Sequence, residues 1–279
     1  MSYDTTVSNH YSHGDLLNAI ESALPAIGKT TENVTIEDLA PVDEFHIGGS
    51  QATDHLLGQL NLTQKKHVLD LGCGLGGASR YVATKYKSHV TGIDLTHEYI
   101  QTGKTLCRWL GLEQQVSLEQ GSALSMPFKN NMFDTGFMLH VGMNIDDKTA
   151  LFSEIYRVLK AGASFGVYDI MREKHGEIIY PVPWAANQNT SKLGTPEQYQ
   201  QALMDAGFTV SKVVSRRDFA VKFFQQLAIK AAAKKGAPPL GLHILMKEST
   251  AYKITNMITN ILNGHIAPVE IIAHKPAEI

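Results

Sequence analysis

His67-Val68-Leu69-Asp70-Leu71-Gly72-Cys73-Gly74-Leu75-Gly76-Gly77 is an apolar run that closes on an acid and breaks into a glycine loop. The run has strand length. Glycines at 72, 74 and 76 permit positive φ and let main-chain N–H groups come closer to a ligand than any side chain would allow. Further on, Val90-Thr91-Gly92-Ile93-Asp94 reads as a second strand ending in a carboxylate, near the offset of ~20 residues at which an acid accepts hydrogen bonds from ribose hydroxyls. A nucleoside-bearing cofactor is therefore expected at this turn. A dinucleotide and S-adenosylmethionine (SAM) both suit a glycine loop followed by an acid. The spacing separates them, because a pyrophosphate site wants two residues between the second and third glycines, and here Leu75 alone lies between Gly74 and Gly76.

The D-x-G-x-G-x-G pattern resembles motif I of the class I SAM-dependent methyltransferases, whose donor presents a zwitterionic amino-acid end to this loop. Later segments resemble that family in its own order. Gly121-Ser122-Ala123-Leu124-Ser125-Met126-Pro127-Phe128 is similar to the segment flanking adenine, Phe133 to His140 to the fourth strand, and Leu159-Lys160-Ala161-Gly162-Ala163 to the turn before the fifth. The resemblance covers residues from about 45 to 170, with two departures: Ser122 stands where many relatives carry an acid, and the turn reads K-A-G-A where K-P-G-G is common. It implies that Asp70 with Gly72, Cys73, Gly74 and Gly76 holds the methionine end, that Asp94 holds the ribose, and that Leu95, Ser122, Ala123, Phe128 and Leu139 surround the rest of the donor.

The 279 residues are 43% hydrophobic and 19% charged, which suits one main globular domain with elaborations. A net charge of −2 with no run of five basic residues argues against nucleic acid as a partner. The two cysteines, Cys73 and Cys107, supply neither a disulfide framework nor a metal cluster, so a cytoplasmic setting and no metal are expected. The same scarcity of thiols disfavours a soft substrate such as arsenite. No apolar stretch is long enough for a membrane span or a signal peptide.

Strand candidates at about 67–71, 89–94, 115–119, 133–139 and 164–169 alternate with helix-length segments, which predicts an α/β, Rossmann-like sheet covered on both faces. Phe208 to Ser215 and Pro268 to Ala273 read as sixth and seventh strands, and the resemblance implies that the last is antiparallel in an otherwise mostly parallel seven-stranded sheet. Thr195-Pro196-Glu197-Gln198 is a capping box with proline in the first turn, opening a helix that stops at Gly207. Residues 1–60, with helical patterns over Asp15 to Leu24 and Gln51 to Leu60, form an expected N-terminal lid. Residues 61–217 form the core, within which 171–194 is an insertion on the substrate side. Residues 218–265 are a helical cap or an oligomer surface, the latter consistent with a homodimer, and 266–279 return to the core as its final strand.

Methyl transfer from a sulfonium is an in-line displacement in which alignment does most of the work, and a base is needed only when the acceptor must lose a proton. His140, at the end of the fourth strand, is the candidate base, with a plain loop contact as the competing reading. Tyr11, His46, Met143, Asn144 and Trp184 are candidate acceptor contacts. Tyr11 resembles a lid tyrosine, His46 sits in Asp43-Glu44-Phe45-His46-Ile47-Gly48-Gly49, and Trp184 between prolines offers a π face to a cation. His10 and His13, and the lysines 230, 234 and 235, read more simply as solvated. The whole pattern is similar to small-molecule methyltransferases of the sarcosine/dimethylglycine N-methyltransferase and ubiquinone C-methyltransferase type. It implies SAM-dependent methylation of a small acceptor, with amine N-methylation narrowly ahead of O- or C-methylation. An NAD-dependent oxidoreductase and a non-catalytic SAM-binding protein are the rivals.

Overall fold

The computed structural model describes residues 3–12, 14–233 and 238–277. The turn at 72–76 connects β1 (His67–Leu71) to α5 (Gly77–Tyr86), and the chain continues through β2 (His89–Asp94), α6 (His97–Trp109) and β3 (Val116–Gln120). It then crosses to β4 (Phe133–Leu139), α7 (Lys148–Val158), β5 (Leu159–Arg172), α8 (Pro196–Asp205), β6 (Thr209–Ser215) and β7 (Ile266–His274). The strands lie in the order β3-β2-β1-β4-β5-β7-β6, and β7 runs antiparallel between β5 and β6. The other pairings are parallel, as the resemblance implied.

Val68, Leu69 and Leu71 are sealed between helical layers, each contributing about 1.5–3 kcal/mol of apolar burial. Leu151, Ile155 and Val158 of α7 and Leu159 at the start of β5 are fully buried, and Gly103 is needed because a Cβ there would stand 2.6 Å from the Leu75 carbonyl oxygen. The Thr195/Gln198 capping box forms. β5 starts earlier than expected, because Leu159 already pairs with Phe133 before a register shift carries the strand around Gly162.

Among the described residues of the first 60 lie four α-helices rather than two: α1 (Tyr3–Tyr11), α2 (Leu16–Ala23), α3 (Ile36–Asp43) and α4 (Ser50–Leu57). Among the described residues between 217 and 262 lie α9 (Arg217–Ala233), α10 (His243–Met246) and α11 (Thr250–Leu262), which stand beside the sheet and close over its carboxyl end. His13 and the lysines 234 and 235 lie outside the described residues, and Lys230 is exposed on α9. No described helix is long and apolar enough to cross a membrane.

Candidate active site

Strand order reverses between β1 and β4, and ligands of open α/β sheets bind outside the carboxyl ends of strands at such a point. A cavity of about 1240 Å³ opens there. Gly72, Gly74 and Gly76 all have positive φ. At Gly74 an added Cβ would find open space, its nearest neighbour being the Tyr99 ring at 4.0 Å, so the main chain itself faces the cavity. Gly72 and Gly76 are constrained from behind, by Val141 and by Leu118. Gly76 begins α5 and does not line the cavity.

Asp94 receives the Gly74 N–H at 3.0 Å and the Thr96 N–H at 2.8 Å, so the second carboxylate braces the first loop. Asp70 accepts from the Ser79 hydroxyl at 2.6 Å. Among the described residues no cationic side chain pairs with either acid. Burial pushes Asp70 up to about 7, helped by the neighbouring Glu44 and Asp94 carboxylates, and burial also raises Asp94 above the usual carboxylate range. The Tyr99 hydroxyl is buried here without a partner among the described residues. Two uncompensated acids and an orphaned hydroxyl fit a ligand carrying ammonium and sulfonium charge. They are poorly suited to an anionic pyrophosphate.

Cys73, Leu95, Ser122, Ala123 and Leu139 also line the cavity. Phe128 does not reach it: its ring packs edge-on against Phe133, 5.1 Å between centroids, within the core. An aromatic just after a turn is equally able to face a ligand or the core, and here the gap beside Phe133 takes it.

The expected acceptor residues Tyr11, His46, Met143, Asn144 and Trp184 line the same cavity. Asn144 uses all its side-chain polar atoms on protein. It accepts from the Tyr11 hydroxyl at 2.9 Å and donates to the carbonyls of Trp184 and Thr190 at 2.9 and 2.8 Å. The Tyr3 hydroxyl adds a bond to the Asn144 carbonyl at 2.7 Å. Asn144 therefore ties α1 and the 171–194 insertion to the end of β4. Trp184 is 1% exposed and its indole N–H reaches Ser191 Oγ at 3.0 Å, so it is an anchored wall.

His140 has φ of +57°, and its ring stacks on Tyr168 at 5.4 Å and meets His46 at 5.9 Å. Its Nε2 is enclosed with no hydrogen-bond partner, and burial holds the ring neutral, well below the ordinary imidazole range. His46 is better connected. Its Nε2 lies 3.1 Å from the Gly49 carbonyl, 3.0 Å from Thr53 Oγ1 and 3.3 Å from Glu44 Oε2. A carbonyl only accepts, so Nε2 carries the proton and Nδ1 is the basic atom. Thr53 in turn donates to Glu44 at 2.7 Å. Burial pushes Glu44 up to about 7 and His46 down to about 4. Next to this group, Asp43 at the end of α3 is buried in an ion pair with Arg80 of α5. Thr53, Tyr99, Tyr168 and Arg80 went unmarked in the sequence, since their partners lie far along the chain.

Fold and loop together are those expected of a class I SAM-dependent methyltransferase, and residues 68–162, about a third of the chain, match the family model described as a methyltransferase domain. It is 32% identical over 162 residues to phosphoethanolamine N-methyltransferase 1 of Zea mays, covering 58% of this chain and 32% of that protein. It is 27% identical over 167 residues to the glycine/sarcosine/dimethylglycine N-methyltransferase of Actinopolyspora halophila, covering 60% of this chain and 30% of that protein. The matches thus span about a third of these relatives' length. Among solved structures, geranyl diphosphate C-methyltransferase from Streptomyces coelicolor A3(2) superposes with a TM-score of 0.72 at 17% identity, covering 99% of this chain and 98% of that one. Haemonchus contortus phosphoethanolamine N-methyltransferase 2 gives 0.73 at 18%, covering 100% and 60%. At such identities the structures speak to the fold alone.

Proposed function

We propose that the protein transfers the methyl group of SAM to a small-molecule acceptor. The carrying observation is the pair of uncompensated carboxylates, Asp70 and Asp94, around an open Gly74 main chain at the strand-order reversal. When bound, the donor supplies a methyl carbon activated by a sulfonium. In this reading Asp70 and the loop hold its amino-acid end, Asp94 the ribose, and Ser122, Ala123 and Leu95 the adenine. The acceptor enters under α1, against Tyr11, Met143 and Trp184. Its lone pair bonds to the methyl carbon as the carbon–sulfur bond breaks, with that bond's electrons passing to sulfur.

Where the acceptor must lose a proton, His46 Nδ1 takes it. The Nε2–H then strengthens its contact with Glu44, whose ionised form balances the imidazolium. His140, whose ring is packed on Tyr168, orients this group rather than serving as the base the sequence suggested. The sequence's narrow preference for an amine is not needed by this arrangement, which serves an ammonium, a hydroxyl or an acidic carbon equally. Cytoplasmic placement, supported by two buried free cysteines, and a homodimer belong to the same proposal. Calorimetric titration with SAM and with NAD tests the core of it. SAM binding with release of S-adenosylhomocysteine in the presence of an acceptor panel is expected, and NAD binding without SAM binding overturns it.

A further inference from the structure

The cavity is larger than the roughly 300–1,000 Å³ that a single small ligand usually occupies, and its far half is chemically unlike its near half. The near half holds the acids and glycines described above. The far half is walled by α9 to α11 with Phe223, Phe224, Leu242, Ile254, Met257 and Ile258, and among the described lining residues of that segment only His243 and Thr250 carry polar side chains.

Charge is distributed to match. Among the described lining residues Lys192 is the one lysine or arginine, and it sits beside Asp146 at 3.2 Å, where that acid is 77% exposed. Asp43 is taken by Arg80 and Glu44 by Thr53, while Asp70 and Asp94 belong to the donor loop. Apart from the single imidazole of His243, nothing described in the far half would neutralise a phosphate, a diphosphate or an amino-acid zwitterion, and an unpaired charge moved there would be heavily penalised.

Resting on the methyltransferase reading, we infer that the acceptor is a neutral molecule with a large apolar body, lodged against α9 to α11. The segment 217–262 is then the specificity wall of the enzyme. This departs from the phosphorylated and zwitterionic acceptors named for the relatives above, whose fold the chain shares.

The test uses the full chain. S-adenosylhomocysteine binding is measured first by calorimetry, and its absence overturns the methyltransferase reading and the inference with it. With S-adenosylhomocysteine bound, N-phenyl-1-naphthylamine is titrated by fluorescence and competed with 4-octylphenol, sarcosine and phosphoethanolamine. Binding of the dye and its displacement by 4-octylphenol alone is expected. Ile254→Asp should weaken dye binding about tenfold or more while S-adenosylhomocysteine affinity stays within about twofold. Should that variant not fold, Ile258→Trp, which shortens the chamber without adding charge, should weaken 4-octylphenol more than 4-ethylphenol. Displacement by sarcosine or phosphoethanolamine, no dye binding to a protein that binds S-adenosylhomocysteine, or folded variants that bind like wild type would each overturn the inference.

Discussion

Replacing Asp94 with alanine tests the donor site most directly, because that carboxylate does two things at once. It accepts the Gly74 and Thr96 N–H groups, and it faces the cavity where a ribose is proposed to lie. Each oxygen has a second lone pair, so bracing the loop does not exhaust its capacity. Loss of one charged hydrogen bond to the donor costs about 1.5–3 kcal/mol, roughly a 10- to 150-fold rise in Kd. Asp94→Asn separates the two tasks. Its amide oxygen still serves one backbone N–H, but its NH₂ meets the other donor, so part of the loss is paid in stability, at about 1–3 kcal/mol for an unpaired buried group. Calorimetry with SAM and S-adenosylhomocysteine should show equal weakening for both, since the ribose is common to them, while thermal melts report the loop. A folded Asp94→Ala protein that binds SAM as tightly as wild type refutes the ribose assignment.

Three further outcomes are expected. Asp43→Ala leaves Arg80 buried without a counter-charge and should cost about 3–5 kcal/mol in urea unfolding, and a loss under about 1 kcal/mol would show that the pair does not join α3 to α5. Glu44 and Asp70, pushed up to about 7, keep protons in the folded chain that the unfolded chain has already released, so they stabilise at low pH and that contribution is lost as pH rises through about 7. His46, pushed down to about 4, and His140, held well below the imidazole range, have the opposite sign, so the carboxyl contribution is read by difference: between about pH 6.5 and 8 the apo protein's urea midpoint should change less favourably with rising pH in wild type than in Glu44→Gln, and identical slopes contradict the assignment. With an acceptor that loses a proton, His46→Ala should lower kcat by about 100-fold or more with donor affinity retained, and a larger loss in His140→Ala than in His46→Ala would return the base to His140.

The glycine turn and its two carboxylates, the proposed donor half, were legible because they are written locally. Positive φ at Gly72, Gly74 and Gly76 needs glycine, a strand buried on both faces needs Val68, Leu69 and Leu71, and Asp70, one residue from the end of β1, and Asp94, the last of β2, lie near the carboxyl ends of adjacent parallel strands by the topology itself. Helices α1 and α3 were not read. α1 buries only Val7 and is held by what Tyr3 and Tyr11 reach, Asn144 far along the chain, while the capping box that opens α3 uses Asp38 where Glu or Gln is the usual signal. Phe128 was misplaced because its hydrophobicity is the same whichever surface it covers.

The acceptor half is illegible for a related reason. Tyr11, His46, Asn144, Trp184 and Ile254 come from five separate segments, and no short spacing in the chain records that they meet. Helical periodicity in 218–265 announces an apolar face but not its partner, so cap and oligomer surface read alike until the cavity shows Ile254, Met257 and Ile258 turned inward. If, as proposed, one turn holds the donor and five distant segments hold the acceptor, the substrate can change without touching the donor loop. Replacing 217–262 should therefore alter acceptor preference while SAM affinity holds, and a matched loss of both would mean that the two halves are not separable.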